Sequence, residues 1–157
     1  MKLDQTDRKI LRELQEDASL SLGELAGRVG LSQMPVWRRV RRMEDEGVIR
    51  KRVALVSPHA VNARVTAFVM LKTSHHDADW FERFSDAVAA MPEVMEFHRL
   101  SGSVDFLLRV ALPDLDGYRD FYRRLIGAVD FVDVSTAFAF ETLKQTTALP
   151  LDFVQDP

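Results

Sequence analysis

Apolar residues recur at helical spacing through the first third of the chain and at strand spacing through much of the rest. Ile10, Leu11 and Leu14, behind a capping Asp4, predict a helix over residues 5–16. Ser21 and Glu24 have capping-box spacing ahead of Leu22, Leu25, Ala26 and Val29, and Gly30 supplies a left-handed stop. After Gly30-Leu31-Ser32, a third helix begins with Ser32 as its cap and Pro35 in its first turn, where a missing N–H costs nothing. Val36, Val40 and Met43 form its one narrow apolar stripe. At about 100° per residue, Met34, Arg38 and Arg41 point the opposite way, with Trp37 and Arg42 on the flanks.

Gly47 ends that helix, and Val48-Ile49 opens an extended segment through Val56 that carries Arg50, Lys51 and Arg52. Ser57-Pro58 predicts a turn. Beyond it the pattern alternates. A strand over 64–73 is followed by a helix capped by Asp77 or Asp79, with Trp80, Phe84, Ala87, Val88 and Met91 inward. Two strands, 94–100 and 104–112, flank a Ser101-Gly102-Ser103 loop, and Asp114 caps a helix with Leu115, Tyr118, Phe121, Tyr122, Leu125 and Ile126 inward. A last strand covers 131–140. The order βαββαβ is ferredoxin-like, with both helices on one face of an antiparallel sheet. The fold class is therefore α+β: an N-terminal helix-turn-helix (winged-helix-like) domain over 1–50, an extended linker over 51–62, and a βαββαβ domain over 63–157.

The strands do not alternate apolar with polar, as a sheet with one wet face should. Val65, Ala67, Val69 and Leu71 are opposed by Phe68 and Met70; Val104, Phe106, Leu108 and Val110 are opposed by Leu107 and Ala111. Two helices cover one face only. The second face calls for another protein surface, most simply a second copy of the same sheet.

Charge sharpens this division. The 157-residue chain has a formal net charge of −3, yet residues 1–52 hold 12 Lys/Arg against 9 Asp/Glu, and the remainder holds 9 against 15. A basic front seeks phosphate; an acidic rear does not. A short helix, a Gly-containing turn and a helix with four arginines in five positions form a helix-turn-helix. Its expected partner is double-stranded DNA. Arg38 and Arg41 are placed at base edges or nearby phosphates, with Gln33, Met34 and Trp37 also within reach of bases. Ser32 heads the helix, and Arg42 with the basic exit segment is assigned to phosphate. Two alternatives stay open: an ordinary helical hairpin with solvated arginines, and a Trp37 turned into the three-helix core.

Other chemistries find little footing. The chain has no cysteine, which excludes disulfides and thiolate sites and fits a reducing, cytoplasmic setting. No apolar run approaches the ~20 residues that span a bilayer. The seven glycines fit no phosphate-cradling fingerprint, and no serine sits in a nucleophile elbow. His75-His76-Asp77 reads as a solvated turn rather than a metal site, since adjacent side chains diverge on extended backbone. No catalytic residue, metal or cofactor is assigned.

The run Leu-Ser-x-x-x-Val-x-x-Arg-Val-x-x-Met-Glu-x-x-Gly-Val-Ile, from Leu31 to Ile49, resembles the recognition helix and exit of Lrp/AsnC (feast/famine) transcriptional regulators. The likeness extends to Leu3-Asp4-x-x-Asp7-x-x-Ile10-Leu11, to Gly102 through Leu108, and to Glu141 through Leu149. It implies a regulator whose rear domain responds to a small molecule, often an amino acid, and forms dimers that assemble further, often to octamers. It also places Thr136 at a position lining the family's effector pocket. One departure matters. The family's hairpin often reads Gly-Asp-Tyr-Asp-Tyr, whereas this chain has Gly102-Ser103-Val104-Asp105-Phe106.

The residues at that hairpin suit an α-amino acid. Amides of Ser101, Gly102 and Ser103 can hold a carboxylate, and Asp105 an ammonium group. The alternative for Asp105 is a cross-strand ion pair with Arg99. Two further functional readings remain: an enzyme like the sirohaem decarboxylases, which resemble the same two-module fold and to which His98 and Arg99 would contribute, and a stand-alone interaction module.

Overall fold

The computed structural model describes residues 2–75 and 77–154. The chain divides into two compact units, one built from the chain up to Leu55 with the segment from Lys144 onward, the other from Val56–Leu143.

In the first unit α1 (Gln5–Glu16), α2 (Leu22–Val29) and α3 (Gln33–Asp45) enclose a core of Ile10, Leu11, Leu25, Ala26, Val36, Val40 and Met43. The helices begin where the caps predict. Asp4 with Asp7, and Ser21 with Glu24, each form a reciprocal capping box. Gly30 and Gly47 take φ of 74° and 73°, the left-handed conformation that ends a helix without steric cost only in glycine. Ser32 stands at the cap position of α3 but makes no side-chain capping bond. The segment after Gly47 forms no strand among the described residues, and Val53, Leu55 and Val56 are exposed.

The second unit is the four-stranded antiparallel sheet in the order β2-β3-β1-β4, from β1 (Val65–Lys72), β2 (Val94–Arg99), β3 (Phe106–Leu112) and β4 (Asp133–Phe138). Helices α4 (Ala78–Ala89) and α5 (Leu115–Ala128) pack on one face, where Trp80, Phe84, Phe121 and Leu125 meet Ala67, Val69, Leu71, Leu108 and Val110. Leu115 and Ile126 of α5, expected inward, are exposed, since the buried stripe of this helix narrows to Phe121 and Leu125. Asp77 is the cap of α4: its side chain accepts from the Trp80 amide at 2.8 Å.

Two boundaries differ from expectation. The segment from Lys144 groups with the three helices and not with the sheet, so the rear domain does not run from 63 to the chain's last residues. The Gln15 amide pairs reciprocally with the Leu149 backbone, its Nε2 donating to the carbonyl at 3.1 Å and its Oε1 accepting from the amide at 2.7 Å. Leu151 joins the helical core, and Arg12 reaches Asp152 at 2.9 Å. The β2–β3 connection is also longer than the predicted three-residue loop. The last ladder pair is Arg99↔Phe106, and the Leu100 amide donates to the Asp105 carbonyl at 2.8 Å, which closes the turn one step further in.

Among the described residues, no helix is long and apolar enough to cross a membrane.

Candidate nucleic-acid interface and effector loop

Helix α3 holds out the face its period predicts. Met34 is 56% exposed and Trp37 47%, so Trp37 is not a core residue. Ser32, Gln33, Arg38 and Arg41 are exposed beside them. Gln33 lies close along α2: a Cβ added at Gly23 would stand 3.3 Å from its Nε2. Arg38 has no hydrogen bond or ion pair among the described residues. Arg41 makes one loose contact, to Glu44 at 3.4 Å, and Arg52 of the exit segment shares the same carboxylate at 3.1 Å.

The other two arginines turn inward, which corrects the expectation of four solvated cations. Asp7 of α1 has a side chain only 1% exposed; its Oδ1 accepts from Arg39 at 2.7 Å and its Oδ2 from Arg42 at 2.7 Å. Arg39 also reaches Asp4 at 2.6 Å. Arg42, assigned from the sequence to phosphate, is therefore engaged by a buried carboxylate. The Asp7 amide first, and then the Arg39 guanidinium, hold the Asp4 carboxyl below its usual range, and Asp4 and Asp7 push Arg39 up. A buried charge is tolerated only when paired and hydrogen-bonded, and here both carboxylate oxygens are satisfied. Asp7 escaped the sequence reading because a charged residue near a helix start looks like an exposed capping partner. The available signal was a pair of arginines three apart on the flank of α3 that faces α1.

The hairpin residues are arranged differently from either expectation. Asp105 and Arg99 do not pair. Asp105 Oδ2 accepts from the Thr73 amide at 2.8 Å, and its own amide donates to the Leu71 carbonyl at 2.9 Å, tying the hairpin base to the end of β1. Arg99 instead lies over the Phe81 ring, 5.8 Å from its centroid. Ser101, Gly102 and Ser103 are exposed, and their amides make no hydrogen bond among the described residues. Gly102 has a φ of 138°. Thr136 does not join this loop. It pairs with Val69 across β1, and its hydroxyl meets the Tyr118 hydroxyl at 2.7 Å beneath α5. Because the Thr73 amide is buried and bonded to Asp105, Asp105→Ala should lose roughly 1–2 kcal/mol, and Tm should fall by about 4–8 °C per kcal/mol in a calorimetric scan.

His98 and Arg99, the pair behind the enzyme reading, diverge. His98 contacts Glu96 at 3.2 Å, and Arg109 reaches the same carboxylate at 2.7 Å. These bonds, His98's first, hold Glu96 below its ordinary range. That trio shares the helix-free face of the sheet with Phe68, Met70, Leu107 and Ala111, which are only half-buried and which no element of this unit covers. Of the His75-His76-Asp77 stretch, His76 lies outside the described residues. His75 stacks on Trp80.

Comparison with known proteins places this geometry. Residues 3–50 match a winged helix-turn-helix DNA-binding family, and residues 66–149 the Lrp/AsnC ligand binding domain. The chain is 44% identical over 151 residues to the DNA-binding transcriptional activator DecR of Escherichia coli (strain K12), covering 96% of this chain and 99% of that one. A crystal structure of an AsnC family transcriptional regulator from Agrobacterium tumefaciens superposes with a TM-score of 0.94 at 53% identity, covering 98% of this chain and 100% of its own. A transcriptional regulator from Neisseria meningitidis in complex with L-Met superposes with a TM-score of 0.92 at 36% identity, covering 96% and 98%.

Proposed function

This chain belongs to the Lrp/AsnC family of DNA-binding transcriptional regulators, and we propose from that premise that α3 reads the operator while the hairpin loop receives an amino-acid effector. The observation that carries the first half is the outer face of α3, where Arg38, with no hydrogen bond or ion pair among the described residues, stands between exposed Met34, Trp37 and Arg41. An arginine free to fork onto a guanine edge is the commonest device for base-specific contact in the major groove. Gln33 reads an adjacent base, Met34 and Trp37 supply apolar contact to thymine methyls, and the Ser32 hydroxyl, unused as a cap, donates to phosphate. Two copies related by a two-fold axis place two such helices in successive major grooves, about one helical turn or a multiple apart.

The effector half rests on the free amides of Ser101, Gly102 and Ser103, which suit a carboxylate. Asp105 has its Oδ2 on Thr73, which leaves Oδ1 for an ammonium group. Thr136 acts from beneath α5 through Tyr118 rather than in the loop. The L-Met complex of the Neisseria meningitidis relative supports an amino acid as the ligand class.

A thermal-shift series with the twenty amino acids tests this reading. A ligand present at 100 times its Kd stabilises by about 2.7 kcal/mol. At least one amino acid should raise Tm and also change the affinity for operator DNA. If none moves either quantity, the effector reading fails while the DNA-binding reading stands.

A further inference from the structure

Four charged side chains meet where the start of α1 lies against the flank of α3. Asp4 and Asp7 contribute two negative charges, and Arg39 and Arg42 two positive ones. The contacts run from Arg39 to Asp4 at 2.6 Å, from Arg39 to Asp7 at 2.7 Å and from Arg42 to Asp7 at 2.7 Å, while the Asp4 amide donates to Asp7 Oδ2 at 3.1 Å. The cluster is electrically neutral, and its pivot, Asp7, is buried. Arg42 lies one turn beyond Arg38 on the same side of the helix. Released, it would swing onto the DNA backbone beside Arg38, since its side chain is still 43% exposed.

We propose that Asp7 is a positioning residue for sequence discrimination: it withholds Arg39 and Arg42 from the phosphate backbone and fixes the rotation of α3, so that Arg38 and Arg41 alone carry charge into the groove. The inference rests on the reading of α3 as the DNA-contacting helix. Phosphate contacts strengthen binding to every sequence alike, whereas base contacts separate one sequence from another. A helix with four free arginines would bind any duplex tightly. Two held by an internal carboxylate leave non-specific affinity low and keep the angle of approach constant.

The salt dependence of binding distinguishes this role from simple structural support. The probes are a duplex enriched by the parent protein from a randomised pool and a scrambled duplex of the same length. In Asp7→Asn the cluster gains one net positive charge. Binding to the scrambled duplex should tighten, and the slope of log K against log salt should steepen by about 0.9, one additional phosphate. Discrimination between the two duplexes should fall by roughly fivefold or more, because α3 no longer keeps the rotation that seats Arg38 on its base, the equivalent of one bidentate base contact. A variant that is only less well folded would weaken on both duplexes with no steeper slope, and that result overturns the proposal. Arg42→Gln, which leaves Asp7 paired with Arg39, is the second arm. It should keep the parental slope on scrambled DNA, where a lost phosphate contact would lower it by about 0.9. A loss of that size in Arg42→Gln means that Arg42 does reach phosphate, and the proposal fails. If the parent enriches no duplex at all, the underlying reading of α3 fails with it.

Discussion

Arg38→Ala is expected to weaken operator binding roughly thirtyfold or more, with the helical content and melting temperature unchanged. Arg38 projects from the side of α3 opposite the buried Val36, Val40 and Met43, is exposed, and makes no hydrogen bond or ion pair among the described residues. A bidentate arginine–guanine contact is worth about 1–3 kcal/mol of discrimination. In a two-fold complex each operator loses it twice. Arg41→Ala should have a smaller effect, because that guanidinium already shares charge with Glu44. Footprinting and a titration at two salt concentrations read both quantities. A parental footprint from Arg38→Ala would place the base-reading face elsewhere on the first unit. Loss of affinity equal on operator and scrambled DNA would make Arg38 a phosphate contact.

The local features of this fold are those the sequence states most openly. Asp4, Ser21, Asp77 and Asp114 all sit at helix starts because a short acceptor before an apolar period has few other uses. The stripe of Val36, Val40 and Met43 and the alternation of β1 and β3 locate both cores for the same reason. The misses are long-range. Nothing near position 7 announces that its carboxylate will be buried against residues 39 and 42. Nothing in Thr146–Leu151 announces that Gln15 will take its backbone. The hairpin loop is longer than the strand pattern predicts, because Asp105, which looks like a strand residue, bonds to the Thr73 amide at the end of the neighbouring strand. That bond also displaces the expected Arg99–Asp105 pair. Site residues brought together by tertiary contact leave no period in the sequence. Thr136, taken from resemblance alone, proved to face α5.

The helix-free face of the sheet leads to the second large effect. The protein is expected to be a dimer at micromolar concentration, and Leu107→Asp and Phe68→Asp are each expected to leave it monomeric. Leu107 stands between His98 on β2 and Met70 on β1, and Phe68 stands between Arg109 on β3 and Ala137 on β4. Both lie on the side away from Trp80, Phe84 and Phe121, so a polar substitution there leaves the core of the unit intact. Apolar side chains gathered on a face that the unit's own helices leave bare need a partner surface, and an identical sheet supplies one with the same apolar centre. The Arg109–Glu96–His98 trio supplies a polar border to that patch, the usual arrangement of a specific interface. Two-fold symmetry places each substituted aspartate twice, and burying an unpaired carboxylate costs several kcal/mol. A penalty of about 4 kcal/mol raises the dimer Kd roughly a thousandfold. Light scattering on the full chain measures the outcome directly. A parent protein that is itself monomeric at these concentrations, or a Leu107→Asp protein with the parental mass, would remove the sheet face from any role in assembly. With the dimer gone, the two copies of α3 lose their fixed spacing, and operator binding should collapse to the affinity of a single unit even though every DNA-contacting side chain is present.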